Sequence, residues 1–152
     1  MLKGLHPLLS ADLLHLSARM GHGDDIALLD ANHPAETVAR VTTSGQPVKL
    51  PGVRVEQALE AILTVLPLDD FTDDPVRFMQ VVGAPDTLPE AVSDMQKALS
   101  AAGYIGQFTT LERQAFYTAA RASFAVVQCG DARLYGNVLV RKGVIDVALV
   151  PE

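Results

Sequence analysis

Apolar positions recur along the chain in two rhythms, one helical and one strand-like. Leu13, Leu14, Ser17 and Met20 follow i, i+3, i+4 spacing behind Ser10, which predicts a helix over residues 11–20 with Ser10 as its N-cap. Gly21 then reads as the C′ residue, able to take a positive φ and stop the helix. Ile26 to Leu29 is an unbroken apolar run of strand length, the kind a sheet covered on both faces contains. Residues 31–53 hold Pro34, Gly45, Pro47, Pro51 and Gly52, and read as loop with a short strand near Thr37–Thr42. Val55, Leu59, Ile62, Leu63 and Leu66 return to helical spacing until Pro67 ends it. An acidic, loop-like stretch over 67–75 leads into a strand at Val76–Val82 that exits through Gly83–Pro85.

In the second half, Pro89 suits the first turn of a helix running to about Ala102 and stopped by Gly103. A short extended segment is expected near Tyr104–Thr109, then a helix over 111–122 capped by Thr110, then a strand at Phe124–Gln128. Gly130 and Asp131 signal a turn. The last strands are read at Asn137–Arg141 and Ile145–Val150, with Gly143 as the turn or bulge between them. Alternating helices and strands predict an α/β fold: a three-layer α/β/α single domain, residues 1–152, around a mixed central sheet. There is no linker, no internal repeat and no Gly-rich phosphate or dinucleotide fingerprint.

Composition narrows the function classes. With 49% apolar and 20% charged residues the chain is globular, and with 5% aromatics its core must rest on Leu, Val, Ala and Ile. A net charge of −6 argues against a nucleic-acid partner, because neutralising phosphates needs a basic surface. No apolar run approaches the ~20 residues of a membrane span, and the broken opening Lys3–Ser10 does not read as a secretory signal. Cys129 is the sole cysteine, ends an apolar run, and reads as a buried, inert thiol. Cytoplasmic localisation is the expectation.

The candidate chemistry begins with His22, framed by Gly21 and Gly23, and with Asp30 at the end of the strand that follows. Histidine gives and takes protons near neutrality, and a carboxylate at a strand end sits where α/β folds place ligands. If the two converge on one cleft they suit proton transfer on a small polar substrate; singly, each has an ordinary role as a capping or turn residue. His33 adds a second imidazole, so His22, Asp30 and His33 are conceivable metal ligands. No helical His pair or cysteine cluster supports that, and the expected metal content is none. His6 and His15 read as surface or partly buried residues of the first helix. Arg113, Phe116 and Tyr117 share one helix face, which fits either a pocket wall for a sugar-like ligand or an ordinary exposed cation with two core rings. Tyr135, Gly136 and Asn137 fit either a turn with a left-handed glycine or a source of hydrogen bonds to hydroxyls. Spacing alone leaves both pairs of readings open.

At these residues the chain resembles the ribose pyranase and fucose mutarotase family. Met1–Gly4 with Pro7–Leu8, the Met20–Asp24 histidine motif, Asp30–Ala31 with Pro34, the Arg113–Tyr117 helix, and Tyr135–Leu139 with Arg141–Val144 follow its pattern in order. Gly23 stands where the ribose-type members tend to carry Thr, and together with Arg113 and the Phe116–Tyr117 pair it favours the fucose type. The similarity runs to about Val144 and is weakest over 38–94. His33 departs from the pattern, replacing an aromatic such as Phe and making the pocket wall more polar.

The resemblance implies a single mutarotase domain that interconverts the α and β anomers of a monosaccharide, most simply L-fucose, with no cofactor. His22 would be the main proton-transfer group. Asp30 would bind a hydroxyl or orient the sugar, and Arg113 would grip hydroxyls or the ring oxygen. Tyr135, Gly136 and Asn137 would complete the hydrogen-bond cage, with Tyr117 as a wall. The family further implies a homo-oligomer, commonly a decameric ring, with active sites near subunit contacts. The competing readings are a D-ribose pyranase, a non-catalytic sugar-binding module and a metal-dependent isomerase or lyase.

Overall fold

The computed structural model describes residues 2–146 and 148. Eleven elements follow one another: α1 (Ala11–Arg19), β1 (Asp25–Leu29), α2 (Ala35–Ala39), β2 (Val48–Leu50), α3 (Val55–Leu63), β3 (Val76–Met79), α4 (Glu90–Ala101), β4 (Thr109–Leu111), α5 (Arg113–Arg121), β5 (Ala125–Cys129) and β6 (Val138–Arg141). The strands form one six-stranded sheet in the order β2-β5-β1-β6-β3-β4. It is mixed, as expected. β1 is parallel to β5, β5 to β2 and β3 to β4, while β6 lies antiparallel between β1 and β3.

The expected three layers are present, and the alternation within β1 shows how they arise. Ile26 and Leu28 face a cluster with Leu13 and Leu16 of α1, Leu59 and Ile62 of α3, and Met95 and Leu99 of α4. Ala27 and Leu29 face the other cluster, with Val38 of α2 and Phe116 of α5. A central strand buried on both sides has no polar face to show, hence the continuous apolar run. Cys129 closes β5 in the first cluster, 2% exposed, and burial pushes its thiol up to about 12.

Several local expectations are overturned. Gly21 does not take a left-handed conformation: α1 ends at Met20 in extended backbone, and the positive φ falls two residues on, at Gly23 (84°). Residues 35–39 are helix rather than strand, because Ala35, Val38 and Ala39 bury one side against β5 and α5. The strand of this region is β2, which the prolines and glycines around it obscured. Thr110 lies in β4, not before a helix; Glu112 caps α5 by accepting from the N–H groups of Gln114 and Ala115. Of the strand expected at Ile145–Val150, residues 145 and 146 carry no strand, while 147, 149 and 150 lie outside the described residues.

Candidate active site

All strands but β6 run the same way, so the chain has one end that collects their carboxyl termini and one that collects their amino termini. Asp30 follows β1 at the first end. It is 3% exposed, and its carboxylate is saturated from four directions. Oδ1 accepts from the N–H groups of Asn32 (2.9 Å) and His33 (3.1 Å), which folds residues 30–33 into a tight turn. Oδ2 accepts from the Gly136 N–H (3.1 Å) and from Asn137 Nδ2 (2.8 Å). Those four bonds occupy the roughly four acceptor positions a carboxylate has, so Asp30 acts here as an organiser of the 135–137 segment. Burial outweighs them and raises its pKa.

Gly136 sits in close quarters without a positive φ: a Cβ there would lie 3.2 Å from Val55 Cγ2 and 3.3 Å from Asp30 Cβ, a tight fit that neighbours would have to yield to by a few tenths of an ångström. The left-handed residue is instead Tyr135, at φ 61°, which reverses the expectation of a left-handed glycine. That conformation costs a bulky residue on the order of 1 kcal/mol. It is held from both sides. The Tyr135 hydroxyl accepts from the Val82 N–H beyond β3 (3.2 Å). Arg133 clamps the loop's start to Asp131, to Glu56 of α3 and to Asp94 of α4, at 2.6 to 3.0 Å.

His33 and Tyr117 stack at the same end, with centroids 4.5 Å apart and planes 19° apart, and Phe116 meets the imidazole edge-on at 6.1 Å. His33 is 5% exposed and its Nε2 has no hydrogen-bond partner. Burial lowers its pKa to about 4, aided by the charge of Arg121 and opposed by Asn137, so the ring is neutral at pH 7. Arg113 opens α5 at this end, exposed and without an ion pair among the described residues. Asp30, His33, Tyr117, Tyr135, Gly136 and Asn137 thus come together around one strand end, with Arg113 on the same side of the sheet.

His22 does not join them. It precedes β1, at the opposite end of the five-residue strand that Asp30 follows, which puts the two on the order of 15 Å apart at ~3.3 Å per residue. The convergence expected from sequence is absent within one chain, and so is the His22/Asp30/His33 trio as a metal site. No cluster of three metal-type side chains occurs among the described residues. Sequence reasoning missed what does surround His22. Its Nε2 meets Asp69 Oδ1 at 3.1 Å, and its ring lies 5.3 Å from that of Phe71. His22 is 46% exposed whereas Asp69 is 6% exposed. Burial opposes ionisation of Asp69 most strongly, but the Phe71 N–H, His22 and the charge of Arg141 together hold its carboxyl below the usual range. A cavity of about 790 Å³ opens beside this carboxylate, lined by Asp69, Asp70, Asp73, Tyr104 and Gln107 among apolar neighbours.

The comparisons with known proteins agree with this architecture. The RbsD / FucU transport protein family model matches residues 3–145. The human fucose mutarotase is 39% identical over 147 residues, covering 95% of this chain and 94% of that protein. An L-fucose mutarotase of Haemophilus influenzae is 37% identical over 148 residues, covering 97% and 99%. The crystal structure of the fucose mutarotase from Streptococcus pneumoniae in complex with L-fucose superposes with a TM-score of 0.86 at 33% identity, covering 95% of this chain and all of that one. A family model spanning nearly the whole chain, with relatives of this identity, places the chain in the RbsD / FucU transport protein family.

Proposed function

We propose that this chain is an isomerase, a mutarotase that interconverts the α and β anomers of a monosaccharide, with L-fucose as its substrate. The observation that carries the reading is the near full-length likeness to fucose mutarotases from a mammal and a bacterium. Opening a hemiacetal needs a proton delivered to the ring oxygen and another removed from the anomeric hydroxyl; closure on the other carbonyl face reverses both. The uncatalysed reaction is already measurable, so general acid–base help worth ~10²–10⁴-fold suffices without a cofactor.

In this reading His22 carries the proton. The Tyr135–Asn137 segment, organised by Asp30, holds the sugar hydroxyls; Arg113 grips from the start of α5 and Tyr117 forms a wall. Because His22 and the Asp30 cluster sit at opposite ends of β1, one chain does not assemble the whole site. A homo-oligomer, a decameric ring in the reading given above, supplies the missing half by setting His22 of one subunit against the cluster of its neighbour. A cytoplasmic location goes with this, supported by the free buried Cys129; no helix among the described residues is long and apolar enough to cross a membrane.

The test is NMR saturation transfer between anomers of L-fucose and of D-ribose, with and without protein. Faster exchange on fucose than on ribose is the expected result. Faster exchange on ribose would assign a pyranase instead, and binding without acceleration would leave a sugar-binding module. The subunit count follows from light scattering of the same sample.

A further inference from the structure

The Tyr135 side chain is held by a backbone group outside the Asp30 cluster, on the loop that follows β3. At the start of that loop the Gln80 N–H donates to the Leu111 carbonyl (2.8 Å), and the Gln80 side-chain amide donates to Thr110 Oγ1 (2.9 Å). Both bonds brace the loop on β4. The chain then reverses: the Ala84 N–H donates to the Val81 carbonyl (3.1 Å), and Gly83 takes φ 75°. Val82 has no positive φ, so residues 81–84 form a type II turn, whose third position calls for glycine. The turn's own bond leaves the N–H of its second residue unused. That residue is Val82, whose side chain is exposed and whose N–H donates to the Tyr135 hydroxyl at 3.2 Å.

This single bond decides what the phenol can do next. A tyrosine hydroxyl has one proton to give and lone pairs with which to accept. With Val82 donating into the oxygen, the proton lies on its other side, and no acceptor among the described residues receives it. Accepting one hydrogen bond also makes the hydroxyl a better donor in the next. The neighbouring side chains are already engaged with each other. Asp30 is filled by four donors, and the Asn137 amide both donates to Asp30 and accepts from it. Tyr135 also holds its left-handed backbone at φ 61°, a strain that persists where the surroundings fix a side chain's aim.

From this geometry we infer that Val82 is the positioning residue for Tyr135, acting through its backbone N–H. It holds the phenol oxygen as an acceptor and turns the hydroxyl proton toward the sugar, so that Tyr135 meets the substrate as a hydrogen-bond donor. The inference deepens the reading above and rests on its assignment of Tyr135 to the sugar. Val82 does not touch the sugar in this arrangement.

The turn supplies its own test, because proline suits the second position of a type II turn and lacks the N–H in question. Val82→Pro is expected to raise KM for L-fucose anomer exchange roughly 2- to 10-fold, the worth of one hydrogen bond, with kcat much less changed. Val82→Ala keeps the N–H and should keep the wild-type KM. In a Tyr135→Phe background Val82→Pro should add nothing, since the oxygen it acts through is gone; a local disturbance of the loop would still add its own loss. Wild-type KM in Val82→Pro, an equal rise in Val82→Ala, or additive losses with Tyr135→Phe overturn the inference. If Val82→Pro unfolds, hydrogen exchange of the Val82 amide decides in its place: Tyr135→Phe should speed it, and saturating L-fucose should leave it slow in wild type. Unchanged exchange in Tyr135→Phe, or faster exchange with the sugar, is equally fatal. Failure of the underlying reading looks different: Tyr135→Phe alone would then keep the wild-type KM, and the inference falls with it.

Discussion

Asp30 and Asn137 stand 107 positions apart and hold each other twice, the amide donating to Asp30 Oδ2 and accepting from the Asp30 backbone N–H. The pair ties the end of β1 to the start of β6 and shapes the 135–137 segment between them. Removing the amide leaves a buried carboxylate short of one donor and a buried N–H without an acceptor, at about 1–3 kcal/mol for each unmet group. Asn137→Ala is accordingly expected to lose about 2–6 kcal/mol in urea unfolding and to weaken L-fucose binding in an NMR titration. Wild-type stability and affinity together would refute this.

His33 gives stability a pH dependence of defined sign. Between its folded value of about 4 and its ordinary value of 6.5, the unfolded chain takes up a proton that the folded chain refuses. Stability is therefore undiminished above that window and falls as pH drops through it, by about 3 kcal/mol at full extent. His33→Phe keeps the stack on Tyr117 and removes the titration. Denaturant midpoints at about pH 7 and about pH 4.5 should differ less in the variant than in wild type; equal differences would remove His33 as the cause.

The Arg133 clamp should matter more than its loop position suggests. Without it Asp131, 2% exposed, is a buried carboxylate missing its cation, a defect worth about 3 kcal/mol. Arg133→Met is expected to lose about that much and to raise KM through the freed Tyr135–Asn137 segment. Arg133→Lys should recover only part of the stability, since an ammonium cannot fork between carboxylates. Full recovery by lysine would mean that charge alone sufficed.

Cys129 is expected to resist thiol reagents in the native protein and to react on unfolding, because its thiolate is suppressed and its sulfur enclosed. The modification rate should follow the unfolding transition. Rapid labelling in buffer would show that β5 opens locally.

Chelation should leave anomer exchange unchanged. The Asp30 carboxylate already accepts four hydrogen bonds and has no acceptor position left for an ion, so an excess of EDTA removes nothing the proposed reaction uses. Loss of exchange, restored by a divalent ion, would reverse that conclusion.

Much of this protein was legible along the chain because the physics involved is local. The continuous apolar run Ile26–Leu29 announced a strand covered on both faces, and Ser10, the 55–63 periodicity and Pro89 marked helices by capping and spacing that need no distant partner. Residues 35–39 misled because a five-residue helix has too few turns to show a period; packing against β5 and α5 decides it. Of the candidate residues, Asp30, His33, Tyr117, Tyr135, Gly136 and Asn137 come together in space, but the expected grouping of His22 with Asp30 does not. Eight positions separate His22 from Asp30, and the strand between them is straight, so closeness in sequence became distance in space. Asp69 reaches His22 from 47 residues away, and Asn137 reaches Asp30 from farther still. Such contacts are set by which strands lie side by side and in what register, a property of the whole sheet that no window of sequence contains.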